Sequence, residues 1–236
     1  MPKVGAIVAA AGLGTRMGTA HPKQFISIAG KPVLAHTLEA FERCPVIETV
    51  CLVVREQEVT RVQRLVTDSS LAKVTAVIPG GEVRQDSVYN GLLAIDGVEI
   101  VVVHDGVRPL VLPESIAATV EAARDSGAAT LATKVSETVK AVHQGLVLRT
   151  IDRGPLWMAQ TPQAFRYRVL REAHERARAA GVVGTDDAML VERLGHQVRI
   201  VQGPVDNLKI STAADLALAE AILAGRIAAD AGRHRV

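Results

Sequence analysis

Short apolar runs alternate with helical segments along the first 135 residues of this 236-residue chain, and this alternation restricts the fold more than any other feature. Runs of roughly 4–8 apolar and β-branched residues are typical of buried strands, whereas apolar residues three and four positions apart are typical of helices. The alternating order predicts an α/β fold, a doubly wound sheet with helices on both faces. The predicted strands are 4–9, 49–54, 73–78, 100–104 and 128–135, and the predicted helices are 32–43, 56–66, 82–95 and 113–126.

The alternation stops at Lys134, where strand-like runs follow one another without a helix between them. A hairpin turn fits residues 143–145, because Gly145 can adopt a left-handed conformation. We expect an antiparallel β-arm over about 134–156 that packs on another chain, since such an arm has little core of its own. A flap on its own subunit is the alternative. The strand-like runs are 134–142, 146–151 and 156–160. The later predicted elements are a helix over 167–180, a short helix capped by 185–187, a strand over 197–201, and a terminal helix that begins at a capping box of Thr212 and Asp215 and frays beyond Gly225.

Composition places the chain among globular enzymes and argues against several partners. The formal net charge is +2 and aromatic residues make up 3%, so neither a basic field nor a base-stacking surface for nucleic acid is expected. No apolar run approaches the roughly 18 residues of a membrane span. The two cysteines, Cys44 and Cys51, have no metal or redox spacing and fit a reducing cytoplasm. We expect one domain over 1–236, in the cytoplasm, that interacts with neither nucleic acid nor membrane.

The loop after the first strand predicts an anion site. Residues 9–18 are rich in small residues, and Gly12 and Gly14 let the backbone curl and leave its N–H groups uncovered. Arg16 and Lys23 add two positive charges within the same short span. A glycine loop with such charges beside it indicates a polyphosphate ligand.

The common glycine motifs do not fit this loop. The dinucleotide fingerprint requires a third glycine where Met17 stands and an acidic residue about 20 positions further on, but Glu56 lies about twice as far away. The Gly-Lys-Ser/Thr triplet of a Walker loop does not follow Gly14 or Gly18. A degenerate dinucleotide site and a plain turn remain as alternatives.

Three polar loops follow three predicted strands at their carboxyl ends. They cover residues 10–23, 79–87 and 105–109. Ligands of open α/β sheets gather at this edge, so we expect the three loops to form one site.

Six blocks of sequence follow one another along the chain: 10–17 with 22–24, 80–88, 104–109, 152–153 with 161–163, 185–187 and 206–209. In this order they resemble the blocks of the 2-C-methyl-D-erythritol 4-phosphate cytidylyltransferase family. The resemblance covers about residues 3–225. It implies a Rossmann-like nucleotidyltransferase sheet and a homodimer that exchanges a β-arm. It also implies cytidylyl transfer from CTP to 2-C-methyl-D-erythritol 4-phosphate with release of pyrophosphate, assisted by Mg²⁺ or another divalent cation.

The resemblance also implies roles for individual residues. Thr138 and Arg153 lie on or beside the arm and would serve either their own site or that of the partner subunit. The implied catalytic residues are Arg16, Lys23, Arg153 and Lys209. The implied nucleotide-binding residues are Ala10, Ala11, Gly12, Gly14, Gly81, Glu82 and Ser87. The implied substrate-binding residues are Asp105, Arg108, Thr138, Arg153, Thr161 and Lys209, with Asp105 also a candidate Mg²⁺ ligand.

Two other functions remain open at this stage. Ribitol-5-phosphate cytidylyltransferases share the CTP-binding half of the pattern and would differ in the acceptor pocket, where small contact changes can exchange substrates. A non-catalytic module that only senses a nucleotide is the second. His104 is interpreted as a histidine satisfied beside the site rather than as a catalyst, because the phosphate nucleophile needs no base.

Overall fold

The structure is a computed structural model that describes residues 3–12 and 22–233. Short 3₁₀ turns at Lys23–Phe25 and Glu56–Glu58 complete the regular elements of this part of the chain. The strands are β1 (Val4–Ala9), β2 (Ser27–Ile28), β3 (Lys31–Pro32), β4 (Thr49–Val54), β5 (Val74–Pro79), β6 (Ile100–Asp105), β7 (Ala128–Lys134), β8 (Val139–His143), β9 (Leu146–Ile151), β10 (Trp157–Arg166) and β11 (Arg199–Gln202). The helices are α1 (Val33–Arg43), α2 (Val59–Asp68), α3 (Arg84–Ala94), α4 (Pro113–Ser126), α5 (Tyr167–Ala179), α6 (Asp187–Glu192) and α7 (Ala213–Arg233).

A seven-stranded sheet forms the centre of the described part of the chain, in the order β11-β7-β10-β6-β1-β4-β5. β1 pairs in parallel with β4 and β6, and β4–β5 and β7–β11 are also parallel pairs. β10 runs antiparallel between β6 and β7. The carboxyl ends of β1, β5 and β6, which the three polar loops follow, therefore lie at the same edge of the sheet, as predicted.

Alternate residues of the central strands pack on opposite faces of the sheet. Val8 and Val102 face α1, α2 and α4, while Ile7 and Val103 face α3, α5 and α6. All six residues of β6 are buried, because helices cover both sides of this apolar strand. The predicted α/β class, with helices on both faces, is confirmed.

A third cluster fixes the C-terminal helix beside the sheet edge. Leu223 of α7 packs with Leu110 and Ile210, and Arg226 donates to the carbonyl of Leu110 at 2.9 Å and to Asp206 at 2.8 Å. Up to Arg233, where the described residues end, the prediction that the chain frays beyond Gly225 is wrong, since α7 continues to that residue and these contacts anchor it. They also fix the loop 206–210 that precedes α7.

Other predicted boundaries also differ from the structure: the run 134–142, for example, is a strand only from Val139 to His143. The run 156–160 was assigned to the arm, but it is the first half of β10 in the central sheet. The helix predicted over 82–95 begins at Arg84, because the glycine turn leaves Val83 extended. The helix predicted over 56–66 is a 3₁₀ turn followed by α2.

Strands β8 and β9 form a separate antiparallel hairpin, inserted between β7 and β10. Gln144 and Gly145 at its tip have φ values of 49° and 83°, which is the conformation that a tight hairpin turn requires. The hairpin leaves large apolar side chains in contact with solvent. They are Val142, Leu146, Val147 and Leu148.

Within the described ranges, no helix is both long enough and apolar enough to cross a bilayer.

Candidate functional site

Two adjoining cavities lie at the carboxyl edge of the sheet, and Arg84, Asp105 and Lys209 line both of them. The first has a volume of about 310 Å³ and the second of about 250 Å³. Because they share a wall of charged side chains, ligands in the two cavities would lie next to one another. Predicted site residues that line the first cavity are Ala10, Ala11, Gly12, Lys23, Gly81, Glu82 and Ser87.

Close packing holds the start of the glycine loop against the neighbouring turn. The buried Gln24 side chain donates to the carbonyl of Ala10 at 2.9 Å. A Cβ atom on Gly80 would lie 2.6 Å from the Cβ of Ala11, so only glycine allows the two segments to approach this closely. The first cavity therefore has a wall of main chain.

The side chain of Ser87 stabilises the second glycine turn. Its hydroxyl accepts from the N–H of Gly81 at 3.1 Å and donates to the carbonyl of Val83 at 3.2 Å. This places Gly81 and Glu82 at the cavity. The role that the resemblance gives to Ser87, nucleotide binding, remains a prediction.

Of the two cations predicted for the glycine loop, the structure describes only Lys23. Gly14 and Arg16 lie outside the described residues. Lys23 lines the first cavity, and its ammonium group donates to the carbonyl of Ile210 at 2.8 Å. Lys23 thus connects the end of the glycine loop with the loop that carries Lys209.

Asp105, at the end of β6, is surrounded by three cationic side chains. Arg84 Nε lies 2.9 Å from Asp105 Oδ1, while Lys209 Nζ lies 2.8 Å and Arg108 Nε 3.8 Å from Oδ2. Burial opposes ionisation of Asp105, but Arg84 and Lys209 hold the pKa of this carboxyl well below its usual range. Asp105 is therefore a carboxylate that gathers cations between the two cavities.

The same arginine extends the charge network behind the site. Arg84 Nη1 lies 2.8 Å from Asp187 Oδ2, and His174 Nε2 lies 2.9 Å from the other oxygen of Asp187. Asp187 is almost completely buried, which raises its pKa, yet Arg84 and the hydrogen bond from His174 lower the pKa overall. Arg84 is thus held between two carboxylates, on β6 and on α6.

The second cavity brings together four of the predicted substrate-binding residues. They are Asp105, Arg108, Thr161 and Lys209, and Gln160, Gln163, Thr185 and Asp186 complete much of the lining. Two arginine donors at this edge, Arg84 Nη2 and Arg108 Nε, have no hydrogen-bond partner within the described residues. The lining itself has three cations, Arg84, Arg108 and Lys209, against the two carboxylates of Asp105 and Asp186, so the cavity has the positive charge that an anionic ligand requires.

An irregularity in β10 places Thr161 beside the end of β6. The pairing of β10 with β7 shifts register between Ala159 and Gln163. At this point the hydroxyl of Thr161 accepts from the N–H of Asp105 at 3.1 Å, where a regular sheet would supply a carbonyl. The bulge therefore aligns a side chain with the site, a common use of such bulges.

Asn207 joins the loop of Lys209 to β10. Its buried side-chain amide donates to the side chain of Gln160 and to the main-chain carbonyl of Thr161, both at 2.9 Å. Its main-chain carbonyl accepts from the guanidinium of Arg108 at 2.8 Å. Lys209 follows two positions later. Asn207 therefore fixes Lys209, Arg108 and Thr161 relative to one another.

Two predicted residues lie away from the cavities of their own chain. Thr138 and Arg153 are exposed at the base of the hairpin, and neither lines the first or the second cavity. Arg153 donates to the carbonyl of Ser136 across the hairpin base. Their catalytic and substrate-binding roles remain predictions.

The sequence patterns predict no role for Gln24, Arg84, Asn207 or His174, and they predict that Asp187 caps a helix together with Asp186. Asp186 is the cap, since its side chain accepts from the N–H of Met189 at 2.9 Å. One signal for Arg84 existed: a cation in the first turn of a helix opposes the helix dipole, which indicates an acidic partner elsewhere. No comparable signal marks Asn207.

The residues at the edge fit a protein-held Mg²⁺ ion poorly. Within the described ranges no group of three or more His, Cys, Asp or Glu residues is placed to hold a metal. Both carboxylate oxygens of Asp105 already face cations, Arg84 on one side and Lys209 on the other. We therefore derive no step through an ion on Asp105.

Comparison with known proteins gives one consistent result. The family model described as IspD, 2-C-methyl-D-erythritol 4-phosphate cytidylyltransferase, matches residues 4–225. A protein of that name from Pelotomaculum thermopropionicum is 52% identical over 233 residues, which cover 96% of each chain. The relative from Geobacillus kaustophilus, with the same name, is 48% identical over 94% of this chain and 98% of its own.

Solved structures agree with the sequence comparisons. The crystal structure of 4-diphosphocytidyl-2C-methyl-D-erythritol synthase from Anaerococcus prevotii superimposes with a TM-score of 0.81 at 33% identity, and the match covers 94% of this chain and 96% of that one. The 2-C-methyl-D-erythritol 4-phosphate cytidylyltransferase from Thermus thermophilus gives 0.77 at 32% identity, over 94% and 99% of the two chains.

Proposed function

Because the chain belongs to the 2-C-methyl-D-erythritol 4-phosphate cytidylyltransferase family, we propose that its first cavity holds CTP and its second cavity holds the alcohol phosphate. The enzyme is a nucleotidyltransferase that transfers the cytidylyl group of CTP to 2-C-methyl-D-erythritol 4-phosphate in the non-mevalonate isoprenoid pathway. The observation that carries the assignment of the cavities is their shared wall. Arg84, Asp105 and Lys209 stand where the two substrates would meet.

The first cavity suits a nucleoside triphosphate. Main chain from the end of β1 and from the glycine turn before α3 lines it, and Lys23 adds a cation. Backbone N–H groups and a lysine are a common combination for phosphate binding. The turn at 81–87 would take the base and the ribose, and the loop of Gly14 and Arg16 would enclose the triphosphate.

The chemistry requires cations more than it requires a base. The nucleophile is a phosphate oxygen of the alcohol phosphate, which is already anionic. It attacks the α-phosphorus of CTP in line, a new P–O bond forms, and the bond to pyrophosphate breaks. The barrier arises largely from bringing two polyanions together, so fixed cations that meet both substrates lower it. Lys23 and Lys209 would supply this charge, with Arg108 on the acceptor side.

A divalent cation, Mg²⁺ or another, is proposed as a companion of CTP. Mg²⁺ is commonly held by substrate phosphates together with few protein ligands. This assignment agrees with an Asp105 whose oxygens already face cationic side chains.

A homodimer formed through the β-arm is the proposed assembly. The hairpin exposes 74% of Leu146 and 67% of Leu148, and apolar side chains in such a small unit need a second surface to cover them. In a dimer that exchanges arms, Thr138 and Arg153 would reach the second cavity of the partner.

The proposed location is the cytoplasm. Cys44 and Cys51 are free thiols in buried positions, and unpaired cysteines of this kind are typical of reducing compartments.

Pyrophosphate release in the presence of CTP and a divalent cation tests the function. We expect kcat/KM for 2-C-methyl-D-erythritol 4-phosphate to exceed that for ribitol 5-phosphate by about tenfold or more, because pocket contacts of this kind discriminate 10–200-fold. Equal or greater turnover with ribitol 5-phosphate would contradict the acceptor. Binding of CTP without any product would favour a nucleotide-sensing module.

A pair of variants tests the division between the cavities. Glu82→Gln, in the first cavity, should raise KM for CTP and leave KM for the alcohol phosphate unchanged. Arg108→Met, in the second cavity, should do the reverse. If both variants shift the same KM, the assignment of the two cavities is wrong.

A further inference from the structure

A chain of three hydrogen bonds runs beneath the second cavity. The N–H of Asp105 lies 3.1 Å from Thr161 Oγ1, this oxygen lies 3.0 Å from His104 Nδ1, and His104 Nε2 lies 3.4 Å from the carbonyl of Arg108. The side chain of His104 is fully buried, and its ring packs on Phe41 at 5.2 Å. The series of hydrogen bonds ends on two main-chain groups, the N–H of Asp105 and the carbonyl of Arg108, and both residues line the cavity.

The partners determine the direction of every bond in this chain. The N–H of Asp105 can only donate, so Thr161 Oγ1 accepts from it. The carbonyl of Arg108 can only accept, so His104 Nε2 carries a hydrogen. A neutral imidazole has one N–H, and His104 Nδ1 is therefore an acceptor that takes the hydroxyl hydrogen of Thr161. We assign this tautomer from the heavy-atom partners.

The surroundings of the ring favour its neutral form, because His104 is fully buried and its two nitrogens face a hydroxyl and a carbonyl rather than a carboxylate. Removal from water lowers the pKa of His104 to about 3, although Asp105 opposes the shift. The nearby guanidinium of Arg108 acts in the same direction as burial. At neutral pH the imidazole is thus uncharged.

With its hydrogen given to His104, Thr161 can offer a ligand only a lone pair. We propose that His104 is a positioning residue that fixes the Thr161 hydroxyl as a hydrogen-bond acceptor, so that this wall of the second cavity selects a hydroxyl group of the acceptor substrate and not its phosphate. The inference rests on the proposed function, because it takes the alcohol phosphate to bind in this cavity. A fully ionised phosphate has only acceptor oxygens, so it cannot donate to Thr161 and would instead bind to cationic side chains such as Arg108 and Lys209.

Separate probes for the two halves of the substrate test this selection. 2-C-methyl-D-erythritol provides the hydroxyl groups without phosphate, and inorganic phosphate provides the anion alone. Binding of each is measured at pH 8, where phosphate is doubly ionised, with a CTP analogue bearing an α,β-methylene bridge at saturation. Thr161→Val, which removes the hydroxyl but keeps the shape, should weaken binding of the polyol about tenfold and change that of phosphate by less than twofold. Thr161→Ser should retain both affinities.

Variants of His104 separate positioning from simple packing. His104→Leu frees the hydroxyl hydrogen of Thr161, so polyol binding should weaken about tenfold while phosphate binding stays the same or strengthens. His104→Asn keeps an acceptor near the place of Nδ1 and should restore the preference. In turnover assays His104→Leu should raise KM for the alcohol phosphate and leave KM for CTP unchanged, whereas a general loss of packing would disturb both.

A spectroscopic measurement on the unaltered protein completes the test. Nitrogen-15 chemical shifts of the His104 ring should show an unprotonated Nδ1 and a protonated Nε2 at pH 8. The opposite tautomer would overturn the proposal without any variant having to fold. Equal weakening of phosphate and polyol by Thr161→Val would also overturn it.

Failure of the cavity assignment would look different. If Arg108→Met changes neither probe, the acceptor does not bind in the second cavity. If Arg108→Met weakens phosphate binding while Thr161→Val changes nothing, the cavity assignment stands and the role of Thr161 is wrong.

Discussion

The edge of the sheet and the β8–β9 hairpin differ in what they bury and what they expose. At the edge, Asp105 and Asp187 are buried and paired with cationic partners from the same chain. On the hairpin, Thr138 and Arg153 are exposed, and apolar side chains such as Leu146 face solvent. The buried charges of the edge find their partners within one chain, whereas the hairpin has surface that a second chain would cover.

The contrast follows from the cost of exposing and burying different groups. A buried charge without a partner is strongly destabilising, so the edge must assemble all of its partners as the chain folds. A two-stranded hairpin is marginally stable by itself and gains from burial of its apolar side chains. The edge should therefore respond to substitution through folding and chemistry, and the hairpin through association.

The largest effect is expected for Arg84→Met. This change leaves two buried carboxylates, Asp105 and Asp187, without their shared partner, and should lower the free energy of unfolding by about 3–5 kcal/mol. Denaturant unfolding measures the loss. As a matched control, Arg176→Met breaks only an exposed pair with Glu172 and should change stability by less than about 0.5 kcal/mol. Similar losses in the two variants would contradict the difference between buried and exposed pairs.

Lys23→Ala should reduce turnover about a hundredfold, with a smaller effect on folding. It removes a cation at the first cavity and the bond to the carbonyl of Ile210, and loss of one preorganised donor typically costs 10²–10³ in rate. Steady-state kinetics with both substrates measure it. Lys31→Ala, which affects an exposed pair with Glu39, is the control and should retain normal kinetics. Near-normal turnover in Lys23→Ala would remove this lysine from the mechanism.

Mixing two inactive variants tests whether the hairpin serves the partner's site. Lys209→Ala damages the edge of its own chain, and Arg153→Ala would damage the site of the partner. Random reassociation makes about half of the dimers mixed, each with one intact site of two, so activity should return to about a quarter of normal. Pyrophosphate release after unfolding and refolding the mixture measures the recovery.

The control for this experiment mixes Lys209→Ala with Arg108→Ala. Both changes lie on the edge of one chain, so every mixed dimer has two damaged sites and no recovery is expected. If Arg153→Ala also fails to complement Lys209→Ala, Arg153 acts within its own subunit or has no catalytic role.

Local sequence predicted the parts of the fold that local patterns determine. The bounds of β1, β4 and α4 agree with their predictions, because continuous apolar runs mark the first two and Gly127, with φ of 87°, ends the third. The predicted run 156–160 ends before Pro162, whereas β10 continues to Arg166. A proline normally argues against a central strand, so local sequence does not indicate this continuation. The register shift at this position accommodates the proline.

For the site, the sequence predicted where residues would meet but not which of them would pair. Loops at the ends of parallel strands share an edge in any such sheet, so the grouping of Asp105 with the two glycine turns followed from topology. The pairing of Arg84 with Asp187 joins residues 103 positions apart, and that of Asn207 with Gln160 joins residues 47 apart. Contacts at such separations depend on how α6 and the loop 206–210 pack, which no local pattern records.

The smallest effect concerns the acid stability of the edge. The folded chain resists protonation of His104 until about pH 3, whereas the unfolded chain binds this proton near pH 6.5. The unfolded state therefore holds more protons between these values, and His104 contributes stability that is present above pH 6.5 and is lost as the pH falls toward 3.

In His104→Asn, the fall of unfolding free energy with decreasing pH should be shallower than normal by up to about 1.4 kcal/mol per pH unit. Urea unfolding between pH 6 and pH 4 measures the slope. Val142→Thr on the exposed hairpin, with no ionisable group changed, should keep the normal slope. Identical slopes in all three proteins would show that the folded chain protonates His104 as readily as the unfolded chain does, so that burial would not lower the pKa of this residue.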